Sequence, residues 1–320
     1  MAGLIVRVAL FTFLSVSSLQ ILCAGEGAKA GKPAVKAAED YAIQLHRPNK
    51  PGDKFRMEAK GSQMERTETK EGAQEDEELN SFLFDFNGTI TVLAVTHDGS
   101  VKKVAMEVEK FTLTEEDFTF EAFPKGTRLV GFFQGRDEIY QVILEGQQEG
   151  RPVPAGMELD ALRSIVNLSR EDSANDDVIF GSTQRRKLGA SWDFNKTAAL
   201  ADFKRDGILL DANKTTGKTI LAEAVKVGAI DCLLLKGEMD ATDFQPPLPK
   251  EFRVEQTTMT ARYTGKFPLD TRLPELETTM EAKMSFRAKT APAKGQPQVQ
   301  IASTRHSRKT TRIIPLTPQK

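Results

Sequence analysis

The amino-acid sequence predicts a mainly β fold of the α+β kind. We expect a large twisted antiparallel sheet, drawn into a half-barrel or sandwich, with one or two short helices in the middle of the chain. Three observations predict it. Apolar residues recur at every second position over long stretches on both sides of the centre. Turn-forming residues separate those stretches at hairpin spacing. Helical periodicity is confined to two central segments.

The elements follow in order. Residues 1–24, MAGLIVRVALFTFLSVSSLQILCA, read as a signal peptide: Arg7 gives a positive start, Val8 to Leu19 an apolar core, and Ala24 with Gly25 a small-residue cleavage region. That core is too short and too rich in Ser to span a bilayer, which takes about 20 apolar residues. A lipid anchor at Cys23 is not expected, because Leu22 stands where a small residue belongs. The chain is thus expected to be exported, whether periplasmic, cell-surface or extracellular. Residues 25–39, GEGAKAGKPAVKAAE, form a flexible spacer. Residues 40–289 have the composition of a β-rich globular domain, either single or built from two subdomains meeting near 150–180. Residues 290–320 read as a basic C-terminal tail, since Arg287 to Lys320 holds eight Lys or Arg and no acid in a chain whose net charge is −1.

Within the globular region, Phe82, Phe84, Phe86, Ile90, Val92 and Ala94 share one face of an extended run. His97-Asp98-Gly99 then turns into a second run with Val104, Met106 and Val108 in alternation, which predicts a hairpin. A second long hairpin joins Met259, Ala261 and Tyr263 to Leu276, Thr278, Met280, Ala282, Met284 and Phe286 through PLDTRLPE. DKFRMEAKGSQMERTE, EIYQVILEG and DCLLLKGEMDA are further strand candidates. AGMELDALRSIVNLS places Leu159, Leu162, Ile165 and Val166 on a helical stripe, and NKTAALADFKRDG offers a second helix with Asn195 as N-cap and Gly207 as stop.

LLDANKTTGKTILAEAV, residues 209–225, imitates a phosphate-binding loop through Gly217, Lys218 and Thr219. Two features argue against that reading. The loop positions are filled by Asn213, Lys214, Thr215 and Thr216 where close approach to phosphate needs glycine. The acid that would hold Mg²⁺, Asp231, follows too soon for a helix and a parallel strand to intervene. A hairpin fits better, with DGILLDA and TILAEAVKV as strands and NKTTGK as the turn. No nucleotide is expected.

Other chemistries find little material. His46, His97 and His306 share no ligand spacing, and neither HExxH, CxxC nor GxSxG occurs. SREDSANDD, residues 169–177, departs from a calcium loop at Ala174 and reads as a solvated acidic loop. Cys232, among leucines, is expected to be a buried inert thiol, and Trp192 a core residue. The sequons at Asn87, Asn167, Asn195 and Asn213 matter only in a glycosylating pathway. No catalytic, cofactor-binding or metal residue is nominated, and no cofactor is expected.

The stretches YAIQLHRPNKPGDKFRMEAKGS, RRKLGASWDF, TTMTARYTGKF and ETTMEAKMSFRAK resemble those of uncharacterised exported bacterial β-rich proteins with a domain of unknown function. That resemblance implies a fold and no activity. The resulting expectation is an exported, non-enzymatic binding or scaffold protein. Its concave sheet face, with Phe82, Phe84, Phe86, Met280, Met284 and Phe286, either lines a site for an apolar small molecule or fills the core. The alternatives are an exported carboxylate-dependent hydrolase, and a surface protein whose basic tail grips an anionic polymer.

Overall fold

A computed structural model describes residues 40–135, 137–143, 150–153, 155–291 and 297–316. The expected signal peptide, Cys23 and the spacer lie outside them. The strands of the N-terminal half are Tyr41–Ile43 (β1), Lys54–Glu71 (β2), Gln74–Val95 (β3), Val101–Glu115 (β4), Phe118–Glu121 (β5), Arg128–Gln134 (β6), Asp137–Ile143 (β7) and Arg151–Pro152 (β8). Helices Met157–Ile165 (α1) and Asp176–Phe180 (α2) follow, then strands Ser182–Arg186 (β9) and Ser191–Asp193 (β10), then helix Lys196–Arg205 (α3). Thr215–Val227 (β11), Ile230–Thr242 (β12), Phe252–Pro268 (β13), Glu277–Thr290 (β14) and Val299–Pro315 (β15) complete the chain.

One 13-stranded sheet runs β10-β11-β12-β13-β14-β15-β2-β3-β4-β6-β7-β8, with β5 added to β4, and β1 pairs separately with β9. Every pairing is antiparallel. The mainly β expectation therefore holds, as do both long hairpins and both helices. Gly99 takes φ 86° at the β3–β4 turn, where only glycine is unstrained. The Asn195 side chain accepts from Ala198 N at 3.2 Å, capping α3 as expected.

Two expectations need correcting. The boundary at 289 does not hold: residues 299–315 are no tail but a strand that pairs along its whole length with β2, and along most of it with β14. They join the two halves of the sheet. Their charge is spent inside the protein and on its outer face, where Arg312 lies 3.9 Å from both Glu58 and Glu277 and His306 meets Glu281 at 3.1 Å. A grip on anionic polymer by a free tail thus loses its premise. The turn placed at NKTTGK is also displaced. Thr215 to Lys218 already belong to β11, Lys218 pairs with Glu238 at 3.0 Å, and the turn that precedes β12 lies at Gly228. A Cβ at Gly217 would fall 2.7 Å from the Phe194 ring. That glycine serves packing in an extended strand, a geometry with no phosphate cradle.

Helices cover the inner face of the sheet in two places. α1 lays Leu159, Ala161, Leu162 and Ile165 on Phe82, Phe84, Phe86, Phe111 and Leu129. α2 and α3 lay Ile179, Ala199 and Phe203 on Met239, Ala241, Met259 and Ala261. Each buried Phe or Leu removes enough apolar surface from water to contribute about 1.5–3 kcal/mol. The expected core residues Trp192 and Cys232 are both buried, with the Cys232 thiol free. No helix among the described residues is long and apolar enough to cross a membrane.

Candidate functional site

Strand alternation places Gln63, Glu65, Arg305, Ser307, Lys309 and Thr311 together on the inner face, because residues paired across β2 and β15 share a side. The same register sets Met280, Ala282 and Met284 of β14 beside Lys309, Ser307 and Arg305. The result is a polar seam on β15 and β2 with an apolar margin on β14. The helical covers contact the sheet to either side. Along the seam Met280, Ala282, Met284, Arg305 and Ser307 remain only half-buried, whereas Lys309 is 6% exposed.

Helix α1 turns its polar edge to this seam. Asp160 and Arg163 lie 3.6 Å apart, and Asn167, one turn beyond, accepts from Lys309 Nζ at 3.2 Å. Arg305 donates to Gln63 at 2.9 Å. Desolvation raises both Glu65 and Asp160, with Arg305 pulling each back. A hydrolase needs two carboxyls whose environments push them apart into acid and base. These two are shifted the same way.

On the β7 side, Tyr140 donates to Glu138 at 2.9 Å and Arg163 to the Glu138 carbonyl at 3.0 Å. Burial pushes Glu138 up to about 7, against the opposing Tyr140 hydrogen bond and Arg163 charge. On the β13 side, Tyr263 donates to Glu275 at 3.0 Å. Desolvation, and then Asp176, push Glu275 up to about 8, while hydrogen bonds from Thr278 and Tyr263 oppose the shift. Arg47 donates to the Pro268 carbonyl at 2.9 Å and sits over the Phe267 ring. Its Nε and Nη1 are buried without a partner. Lys309 lies between these two acidic regions. Burial lowers its ammonium to about 8, against the attraction of Glu275 and Glu138. Among the described residues it makes no ion pair, and Asn167 supplies its hydrogen bond. The Thr311 hydroxyl, two residues along the same face, is buried with no partner.

The residues singled out from the sequence divide between core and seam. Phe82, Phe84, Phe86 and Phe286 are fully packed, whereas Met280 and Met284 are half-buried at the seam. His46 Nε2 donates to the Asp98 carbonyl, 2.8 Å away, at the β3–β4 tip. SREDSANDD is a solvated acidic loop only in its first part, where Glu171 and Asp172 are exposed, and its end enters α2. Asn175 caps α2 and donates to Asp98 at 2.8 Å, and Asp177 accepts from Leu45 N at 2.6 Å. Asp98 is held far below the usual carboxylate range: desolvation opposes this, but hydrogen bonds from Thr96, Asn175 and Ser100 prevail. Among the described residues no group of three His, Cys, Asp or Glu could hold a metal ion. Sequence reasoning missed Lys309, Thr311, Glu138 and Glu275. The signal for Lys309 was its parity with Ile301, Thr311 and Ile313 in a β-propensive run.

No protein-family model matches the sequence, and no curated protein matches it. Among solved structures, DynF from the dynemicin biosynthesis pathway of Micromonospora chersina aligns over 95% of this chain and 98% of its own. The identity is 8% and the TM-score 0.16. A DUF1329 family protein from Desulfovibrio piger aligns over 76% of this chain and 83% of its own, at 11% identity and a TM-score of 0.14. The toluene transporter TodX of Pseudomonas putida aligns over 83% and 90%, at 8% identity and a TM-score of 0.12. Scores this low mark weak likenesses and carry no argument about function.

Proposed function

We propose that this chain is an exported, non-enzymatic binding protein that holds an apolar small molecule along the seam of its inner face. The observation that carries the reading is the half-exposed margin Met280, Ala282 and Met284, which runs between two helix-covered cores in which Phe82, Phe84, Phe86, Phe194 and Phe203 are buried. A β-sheet of this size otherwise closes its apolar face against solvent. Methionine, with three rotatable bonds and a polarisable sulfur, adapts to ligands of irregular shape. Export rests on the signal-peptide pattern of residues 1–24.

Titration with the uncharged fluorophore N-phenyl-1-naphthylamine tests the proposal. Saturable binding is expected, weakened about tenfold or more by Met280→Asp with Met284→Asp, since burying charge at an apolar contact is costly. Fluorescence that rises linearly without saturating, in protein shown to be folded, overturns it.

A further inference from the structure

We propose that the occupant of the seam is a long-chain aliphatic carboxylate, its head accepting hydrogen bonds from Lys309 Nζ and the Thr311 hydroxyl and its chain lying over Met280, Ala282 and Met284. This rests on the reading of the chain as an apolar-ligand binding protein and adds the chemistry of the ligand's head.

Three features point to that head. Lys309 is a buried ammonium with no ion pair among the described residues; Asn167 gives it one neutral acceptor and leaves two N–H donors free of any partner named in this structure. A buried ammonium with no carboxylate in contact with it is costly, and natural interiors pair or solvate such groups. Thr311 adds a second donor on the same strand face, two residues on, with its hydroxyl buried and unpartnered. The two together offer a carboxylate what it needs: one full positive charge and a neutral O–H donor.

The surroundings select among anions. Glu138 and Glu275 lie near enough to Lys309 to act on its charge from either side. A phosphate dianion would bring two negative charges between them, whereas a single carboxylate balances the one ammonium. The neighbours select the tail as well. Met280 stands directly across from Lys309 in the β14–β15 register, and Gly61 directly across on β2. A Cβ at Gly61 would fall 2.5 Å from the Phe84 ring, so that ring occupies the space over the glycine directly across from Lys309. The half-exposed path leads away from Lys309 along Ser307 and Arg305, beside Ala282 and Met284.

The test compares dodecanoic acid with dodecan-1-ol, equal in length and different only in the head, as competitors of N-phenyl-1-naphthylamine at pH 7. The acid is expected to bind about tenfold or more tighter than the alcohol to the wild-type chain, as a charge-assisted pair in a buried site would give. In Lys309→Met that preference should fall to within about twofold, and in Thr311→Val it should fall by about threefold. Thr311→Val removes a hydroxyl that bonds to nothing, so it tests the site even where Lys309→Met fails to fold. Equal affinity for acid and alcohol in the wild type, or a preference that survives in Thr311→Val and in folded Lys309→Met, overturns the inference. A fluorophore that binds but yields to neither competitor also overturns it while leaving the broader binding reading intact. A fluorophore that does not bind removes both.

Discussion

A single lysine concentrates the physical questions this chain raises. Lys309 is held in the interior by a neutral amide, so its charge is not stabilised by a carboxylate in contact with it. Replacing such a group by an apolar side chain of similar length is often neutral or stabilising, whereas breaking a true buried ion pair costs about 3–5 kcal/mol. Lys309→Met without ligand should therefore change unfolding stability by no more than about 1–2 kcal/mol, measured by urea denaturation at pH 7. A loss above about 3 kcal/mol would show that the lysine is paired for stability rather than left available. Glu275 makes a complementary prediction. Its folded-state value of about 8 lies above the ordinary 4.5, so between those limits the native state holds a proton that the unfolded chain releases. Stability contributed by this group is present below about 4.5 and is lost as pH climbs to about 8. Glu275→Gln cannot titrate. Its stability relative to wild type should thus rise between pH 5 and pH 8 by an amount on the order of 3 kcal/mol, read from melts at the two pH values. Lys309 acts in the opposite direction only above about 8, as the unfolded chain then holds the proton the native state has lost; Glu138 and Asp176, raised to about 7 and about 6, titrate inside the window in both proteins, so the comparison with wild type is what reads Glu275.

At the scale of elements, β15 decides the architecture, and its removal is the sharpest test of it. Deleting residues 298–320 would strip β2 and β14 of their shared partner and expose both along more than a dozen ladder positions. The truncated chain should be insoluble or unfolded by far-UV circular dichroism; a cooperative melt like that of the full chain would mean that these residues behave as a dispensable tail. That strand also shows what the sequence made legible and what it hid. Phe82 to Ala94 and Thr278 to Phe286 announce themselves because alternation is local and their inner faces are apolar. Asn195 and Gly207 announce α3 because caps are chosen by local backbone chemistry. In β15 the inner positions are Ser303, Arg305, Ser307 and Lys309, so the strand crosses the seam without an apolar signal and its basic residues suggest solvent instead. α2 was hidden likewise, because Asn175, Asp176 and Asp177 read as a solvated run until Asp98 and Leu45 arrive to bond them. The seam itself was not legible. Glu138, Glu275 and Lys309 come from three separate strands or loops; parity with Ile301 and Ile313 marks the face of Lys309, but nothing local marks the approach of the three. The segment around Gly217 erred in the other direction, carrying the order of a phosphate loop in the geometry of a strand. ATP with Mg²⁺ should accordingly leave the melting temperature unchanged, and a saturable stabilisation lost in Lys218→Ala would contradict that geometry.

For the whole molecule, the placement of β15 joins two helix-covered lobes into one continuous sheet. The N-terminal lobe closes on α1 and the C-terminal lobe on α2 and α3. Each could in principle unfold alone, as large β-rich chains often do. Two links oppose this. One is the β15–β2 ladder, 17 residue pairs long. The other is the contact of the β3–β4 tip with the far side, where Asp98 receives Asn175 and its carbonyl meets His46. Trp192 is the one tryptophan in the chain and lies in the C-terminal lobe, with its indole N–H donating to the Phe180 carbonyl at 2.9 Å. Its fluorescence therefore reports one lobe, while far-UV circular dichroism reports all strands. Phe86 belongs to the other lobe, fully buried and edge-to-face with Phe111 at 5.7 Å. Phe86→Ala should cost about 3–5 kcal/mol through lost burial and the cavity left behind. If the sheet is one cooperative unit, the Trp192 transition in this variant shifts by the same amount as the circular dichroism transition, although the lesion lies on the opposite side of β15. A Trp192 transition that stays at its wild-type midpoint while the circular dichroism curve splits would show instead that the lobes fold separately and that the ladder between them is only a hinge.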